Sequence, residues 1–560
     1  MARRLALLSL LVALAVACKR DGAAASHAAS TTPVPAPPTL IAEGVLRDPD
    51  VFWKRLRSGG GVSLAHLHES AAGAILGWAG VDPSVAPLVA GGAPFELALG
   101  DAPDGVAYAM AMKLSDPDAA RAKLVEGETA MFRGEDDSGM IRLVPRQETA
   151  STAVLAVSWT GYLVLASSAA DLATLGPYAS RTLPTKAPPA SSFELRVEPA
   201  ALEVTGRKAP ELATKATAAI AVVARGMLPP DVDAALFAEC FTPGIRETLA
   251  AAGDLAEARV DADADDAQLD AVAALVPKPG DNLARARFAA MHPASAAPLL
   301  EAPRDALAAL FWSDTAAARE DDAKTVGACV GKALAPMLGP GGGTKLADLL
   351  VAWAHGRGDW ETASFLAKPG LAGLVLRAPV TDGPGISATV RGFVDLASQP
   401  SVAEAIERLL PLRAGAAIEP VDVPRVGKVQ MVMFPSHAPP PKDPTAAPAA
   451  FPGLAPPGLA WFVDAKEADI GLGTSPADLV GLAKPAAPFR TNAAVARALG
   501  ALGADASFAA VVVPPGCCAG TAPVSAPLTL GWGKRATDGR VTLAIGEELF
   551  GQLVARITAP

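Results

Sequence analysis

The chain has 560 residues, a formal net charge of −10 and 51% hydrophobic residues. That balance argues against nucleic acid, whose binders present basic surfaces, and against anionic lipid headgroups as the main ligand. Aromatic residues make up only 5%, with three tyrosines, so carbohydrate or peptide grooves built on ring stacking are disfavoured, and no cofactor is expected. The length implies several domains, and the apolar content supplies a sizeable core.

The first residues are MARRLALLSLLVALAVACKRDG. Arg3 and Arg4 form a positive start, and Leu5 to Ala17 is an uncharged run. That run is shorter than the roughly 20 residues of a membrane span and suits the apolar region of a signal peptide. Ala15 and Ala17 lead into Cys18. This stretch resembles a bacterial lipoprotein signal peptide with its lipobox, although Ala15 stands where leucine is usual. The resemblance implies removal of residues 1–17 and lipidation of Cys18, with palmitate-like acyl chains anchoring the new terminus. Two or more acyl chains hold a protein stably where one does not. In the enteric lipoproteins that this signal resembles, aspartate after the cysteine favours the inner membrane, so the resemblance with Lys19 implies the outer membrane. Residues 18–40 carry Pro33, Pro35, Pro37 and Pro38 without apolar periodicity, which predicts a disordered, semi-extended tether.

Beyond the tether the pattern is α+β. GVAYAMAMKLSDPDAARAKL (105–124) reads as a strand and then a helix, and Met140 to Pro145 and Val154 to Ser158 as strands. GYLVLASSAADLATL (161–175) reads as a strand running into a helix capped by Ser168, with Asp171 three residues on. Pro210 to Met227 has helical periodicity, and Ala256 to Ala264 alternates like a strand. Asn282 to Met291 and Ala306 to Trp312 read as further strands. Residues 331–356 read as two helices around a glycine turn, and 386–410 as a strand followed by a helix. Gly427 to Phe434 and Leu459 to Asp464 read as strands flanking a proline-dense inserted loop at 436–458.

ADIGLGTSPADLVGL (468–482) then repeats the earlier phrase. With Leu165 set on Leu472, Ser168 meets Ser475, Asp171 meets Asp478, Leu172 meets Leu479 and Leu175 meets Leu482. Pro476 suits a first helical position. The expectation is two tandem, related lobes of mixed or antiparallel sheet with packed helices, spanning 41–285 and 286–560.

The chemistry-bearing candidates are few. Cys240, Cys329, Cys517 and Cys518 could form disulfides in an oxidising compartment or remain as buried thiols. Pairing of the adjacent Cys517 and Cys518 is disfavoured by their short Cα separation. His66 and His68, beside Glu69, are weak metal candidates because nothing in the spacing supplies a third ligand. Asp261, Asp263 and Asp265 fail the EF-hand pattern, with Asp266 and Val272 where Gly and Glu belong, and read as a solvated strand face. GPGGGTK (339–345) has Thr344 before Lys345 and Leu346 after it, so it is a glycine turn and not a phosphate loop. No GxSxG or SxxK nucleophile motif occurs. The resulting expectation is a membrane-tethered cell-envelope lipoprotein, facing the periplasm, with a binding or structural role toward an envelope protein or an apolar ligand. The alternatives are an apolar-ligand carrier and an envelope hydrolase whose catalytic residues are dispersed.

Overall fold

The computed structural model describes residues 31–546, except 60–67, 103–104, 127–129, 138, 147–152, 229–231, 266–267, 304–305, 369–370, 410–417, 424–426, 434–457, 473–487, 503–504 and 514–527. Cys18, the inserted loop at 436–458 except Gly458, Cys517 and Cys518, and the second phrase from Ser475 to Leu482 therefore lie outside the described residues. The chain is α+β and divides into two compact units. The first comprises 31–208 and 250–284, with 543–546; the second comprises 209–249 and 285–542.

The first unit contains β1 (Leu40–Leu46), β2 (Phe95–Ala102), β3 (Gly105–Lys113), β4 (Phe132–Asp137), β5 (Met140–Pro145), β6 (Val154–Ser158), β7 (Tyr162–Ala166), β8 (Phe193–Val197), β9 (Leu255–Ala264) and β10 (Gln268–Pro277). All pair antiparallel, in the order β4–β5–β6–β7–β3–β2–β1–β8–β9–β10. Alternation sends Leu163 and Leu165 to one face and Val164 and Ala166 to the other. The first face packs under the helices Pro49–Gly59, Ala71–Trp78 and Pro117–Val125 through Trp53, Leu76 and Leu124. The second is rich in alanine, including Ala98, Ala109, Ala111 and Ala156. It lies under the helix Ala169–Pro177, which buries Leu172 and Leu175. Ser168 caps that helix as expected: its hydroxyl accepts from the Asp171 amide at 3.1 Å and donates to the Asp171 carboxylate at 2.6 Å.

The second unit contains β11 (Ala308–Ser313), β12 (Trp360–Lys368), β13 (Leu371–Pro379), β14 (Glu419–Val423), β15 (Gly427–Met433), β16 (Gly458–Val463), β17 (Glu467–Leu472), β18 (Ala506–Val512), β19 (Leu528–Arg535) and the first five residues of β20 (Asp538–Gly546). Their order is β14–β15–β16–β17–β13–β12–β11–β18–β19–β20. Every strand of the first unit thus has a counterpart ten strands later with the same neighbours.

The register agrees residue by residue. Starting from Leu165, the cross-strand partners run Met110, Leu97, Gly44, Leu195 and Val260. Starting from Leu472, they run Leu374, Phe365, Ala308, Val512 and Leu528. In the other direction Leu165 meets Leu155 and then Leu143, and Leu472 meets Leu459 and then Val432. The strand half of the repeated phrase therefore occupies equivalent places in two copies of one sheet. The helix layers correspond as well: Asp116 caps the helix after β3, and Asp382 caps Gly383–Ala397 after β13.

Two sequence expectations are corrected. Residues 282–291, read as a strand, form the helix Leu283–Ala289. Ala284 and Phe288, four apart, are buried, and a period of four outweighs the Ala-Arg alternation. Residues 386–410, read as a strand and a helix, form two helices, Gly383–Ala397 and Pro400–Leu409. Ile386, Val390 and Val394 make a buried stripe at helical spacing, and the strand equivalent to β3 is β13, upstream of them. The glycine turn is present: Gly339 and Gly341 have φ of 71° and 74°, a region that L side chains enter at a cost.

Candidate functional site

The first unit gathers buried ionisable side chains on the alanine-rich face. In β1, Glu43 pairs with Ala98; in β2, Glu96 pairs with Ala111. Strand alternation puts both carboxylates on the same side as Tyr178, which follows the helix Ala169–Pro177 directly. The Tyr178 hydroxyl donates to Glu43 Oε2 at 3.0 Å. Lys186 donates to the same oxygen and to the Tyr178 hydroxyl, the latter at 3.2 Å. Its side chain is 44% exposed and that of Glu43 is 11% exposed.

Glu96 is 6% exposed, and its Oε2 has no hydrogen-bond partner among the described residues. Burial, reinforced by the charge of Glu43 and opposed by Lys186, pushes its carboxyl up to about 7. Burial and Glu43 also raise Glu198, and burial raises Tyr178. Lys186 is raised: burial acts against its charge, but the hydrogen bonds to Glu43 and Tyr178 outweigh it. The arrangement can take up or release a proton near neutral pH at a carboxylate held away from water.

The second unit shows that the sheet does not need this cluster. The register places Leu307 opposite the role of Glu43 and Ser364 opposite that of Glu96. Further along the same face Ala309, Phe311 and Val511 are buried against the elements Ala297–Glu301 and Ala493–Leu502. Their first-unit equivalents are Val45, Arg47 and Glu194.

A cleft of about 340 Å³ lies in the same unit, and no side chain of the acid cluster lines it. It is lined by the start of β1, by Asp101 in β2, and by the helix Pro199–Arg207 with Lys208 after it. Glu198, the residue before that helix, donates its amide to the Ile41 carbonyl at 2.9 Å, so the start of the helix is fastened to β1. Gly206 permits a close helix approach, since a Cβ there would stand 2.6 Å from the Gly253 Cα.

The residues singled out in the sequence fall elsewhere. His66 lies outside the described residues. His68 is exposed, and its Nδ1 lies 3.0 Å from the Ser70 hydroxyl that caps Ala71–Trp78. Asp261 and Asp263 lie on β9, where they accept from the Ser191 hydroxyl at 3.0 Å and the Ser192 hydroxyl at 2.7 Å. They fix the entry to β8. Asp265 lies past the strand and accepts from the Gln268 amide at 3.1 Å. Among the described residues no cluster of metal-ligating side chains is present.

Cys240 and Cys329 form a disulfide, with Cα atoms 5.5 Å apart. It ties the segment 209–249 to the helix Ala316–Ala333 within the second unit. That unit also buries an ion network: Asp314 accepts from Arg319 and Arg357, each at 3.1 Å, and Arg357 pairs with Glu361 at 3.1 Å. Burial raises Glu361 despite Arg357. Every charge in this network is met by a neighbour, which suits a structural tie between helix and strand. The Glu43–Glu96 pair was not visible in the sequence. Its only trace is a glutamate interrupting each of two apolar strands.

No family model and no curated protein matches the chain. Two crystal forms of TP0453 align with 48% of it, at 8% and 9% identity and a TM-score of 0.20, covering 98% and 99% of their own chains.

Proposed function

We propose that this chain is a membrane-tethered lipoprotein of the cell envelope, anchored through lipidated Cys18, whose first unit binds a ligand. The cleft lined by β1 and the helix Pro199–Arg207 carries the binding half of this reading. It has an apolar lining with a few charged groups, the composition of small-molecule sites. The lipobox-like start supports the address, and the Cys240–Cys329 disulfide is in keeping with an oxidising compartment. An apolar-ligand carrier is the form of this proposal that suits the lining best. A second reading, an envelope hydrolase, is favoured by Glu96 alone, because a carboxyl poised near neutrality suits general acid–base work.

Cys18→Ala should move the protein from the membrane to the soluble fraction after a high-salt wash. Full sedimentation of the variant with the envelope would overturn the anchoring. No nucleic-acid partner is proposed, in view of the net charge of −10.

A further inference from the structure

The cleft in the first unit has an apolar lining that includes Leu40, Ile41, Ala201 and Val204, together with the charged residues Asp101, Arg207 and Lys208. Asp101 and Lys208 have partners of their own. Arg207 is exposed, and its guanidinium has no hydrogen-bond partner among the described residues. It acts electrostatically on Glu203 one turn back, and Glu203 is already held by Lys278 at 2.8 Å. A guanidinium offers a planar fork that suits a carboxylate. The hydrocarbon lining next to it offers a place for an aliphatic chain.

We propose that this cleft binds a medium-chain aliphatic carboxylate, with its chain on Leu40, Ile41 and Val204 and its headgroup on Arg207. The volume, about 340 Å³, lies at the small end of the roughly 300–1,000 Å³ range of ligand sites. It favours one medium-length chain over a two-chain phospholipid. The assignment rests on the reading of the first unit as a binding module and names the ligand class of that same site.

Isothermal titration of the mature full-length protein with decanoate tests it, with decylamine and decanol as matched probes of opposite and no charge. Decanoate should bind, decanol more weakly, and decylamine most weakly. Arg207→Glu lies at an exposed position and should keep the native circular dichroism. It should weaken decanoate by at least about tenfold, the worth of one charge-assisted hydrogen bond, and narrow the gap to decylamine. Val204→Trp should obstruct the cleft and weaken decanoate and decanol alike. Absence of decanoate binding overturns the assignment, as does equal binding by native protein and both variants. Preference for phosphatidylglycerol vesicles over decanoate would also overturn it, because it assigns the cation to a lipid surface. Membrane release by Cys18→Ala is read separately, so a failed ligand and a failed anchor cannot be confused.

Discussion

Glu96 stands between Phe95 and Leu97 in β2, at 6% exposure, with one oxygen unpartnered. A carboxyl raised to about 7 in the fold, from about 4.3 in an unfolded chain, binds its proton more tightly when folded. Its contribution to stability is therefore complete below about pH 4.3 and is lost as pH rises through about 7. The loss amounts to about 4 kcal/mol. Glu198, also raised, acts in the same direction. Glu96→Gln should accordingly be more stable than the native protein at pH 8, and the difference should shrink toward pH 5. Urea unfolding at the two pH values checks this. A glutamine variant that is less stable at pH 8 would show that the carboxylate has a partner that stabilises it. None of this was legible beforehand, because a glutamate in an alternating strand reads as a solvent-facing residue. The helix Ala169–Pro177 and Tyr178 lie over that face, and Glu96 is buried on it.

At the scale of elements, strands with clean alternation and helices with a capping signal could be read from the sequence. Met140–Pro145, Val154–Ser158 and the Ser168 cap are found where expected. The failures share one cause. In 282–291 and 386–410, short apolar residues recur at both two and four positions, and tertiary burial selects the helical period. The segment 209–249 shows a further limit, since its helix was expected but its association with the second unit was not. The Cys240–Cys329 bond spans 89 residues, so reducing it frees a long loop in the unfolded chain. The paired change Cys240→Ala with Cys329→Ala should destabilise the second unit by about 2–4 kcal/mol, measured as lost hydrogen-exchange protection in 316–333. Unchanged protection would show that packing alone holds the segment. In the first unit, Gly206→Ala would push a Cβ into the Gly253 backbone and displace the wall of the cleft. A stability loss of about 1–3 kcal/mol is expected, and an unchanged melting temperature would refute that contact.

For the molecule as a whole, one phrase of fifteen residues was the readable sign of a ten-strand order that occurs twice. The rest differs in sequence because a sheet tolerates any residue that respects face and volume, so Met110 can stand where Leu374 does, and Leu97 where Phe365 does. Divergence of this kind makes the chain its own control. The second unit builds the same sheet with Leu307 and Ser364 where the first has Glu43 and Glu96. If the acid pair serves the ligand site and not the fold, Glu43→Leu with Glu96→Ser should leave the first unit folded. Tyr178 would lose an acceptor, at a cost of about 1–2 kcal/mol, while removal of the unpartnered carboxylate would offset that above neutral pH. The double variant should therefore unfold within about 2 kcal/mol of the native protein at pH 8, with a much flatter dependence on pH between 5 and 8. A loss of more than about 4 kcal/mol, the size reserved for a broken core network, would show that the acids hold the first unit together. The apolar solution of the second unit would then depend on its own covering elements, and the two copies would no longer be interchangeable at this position.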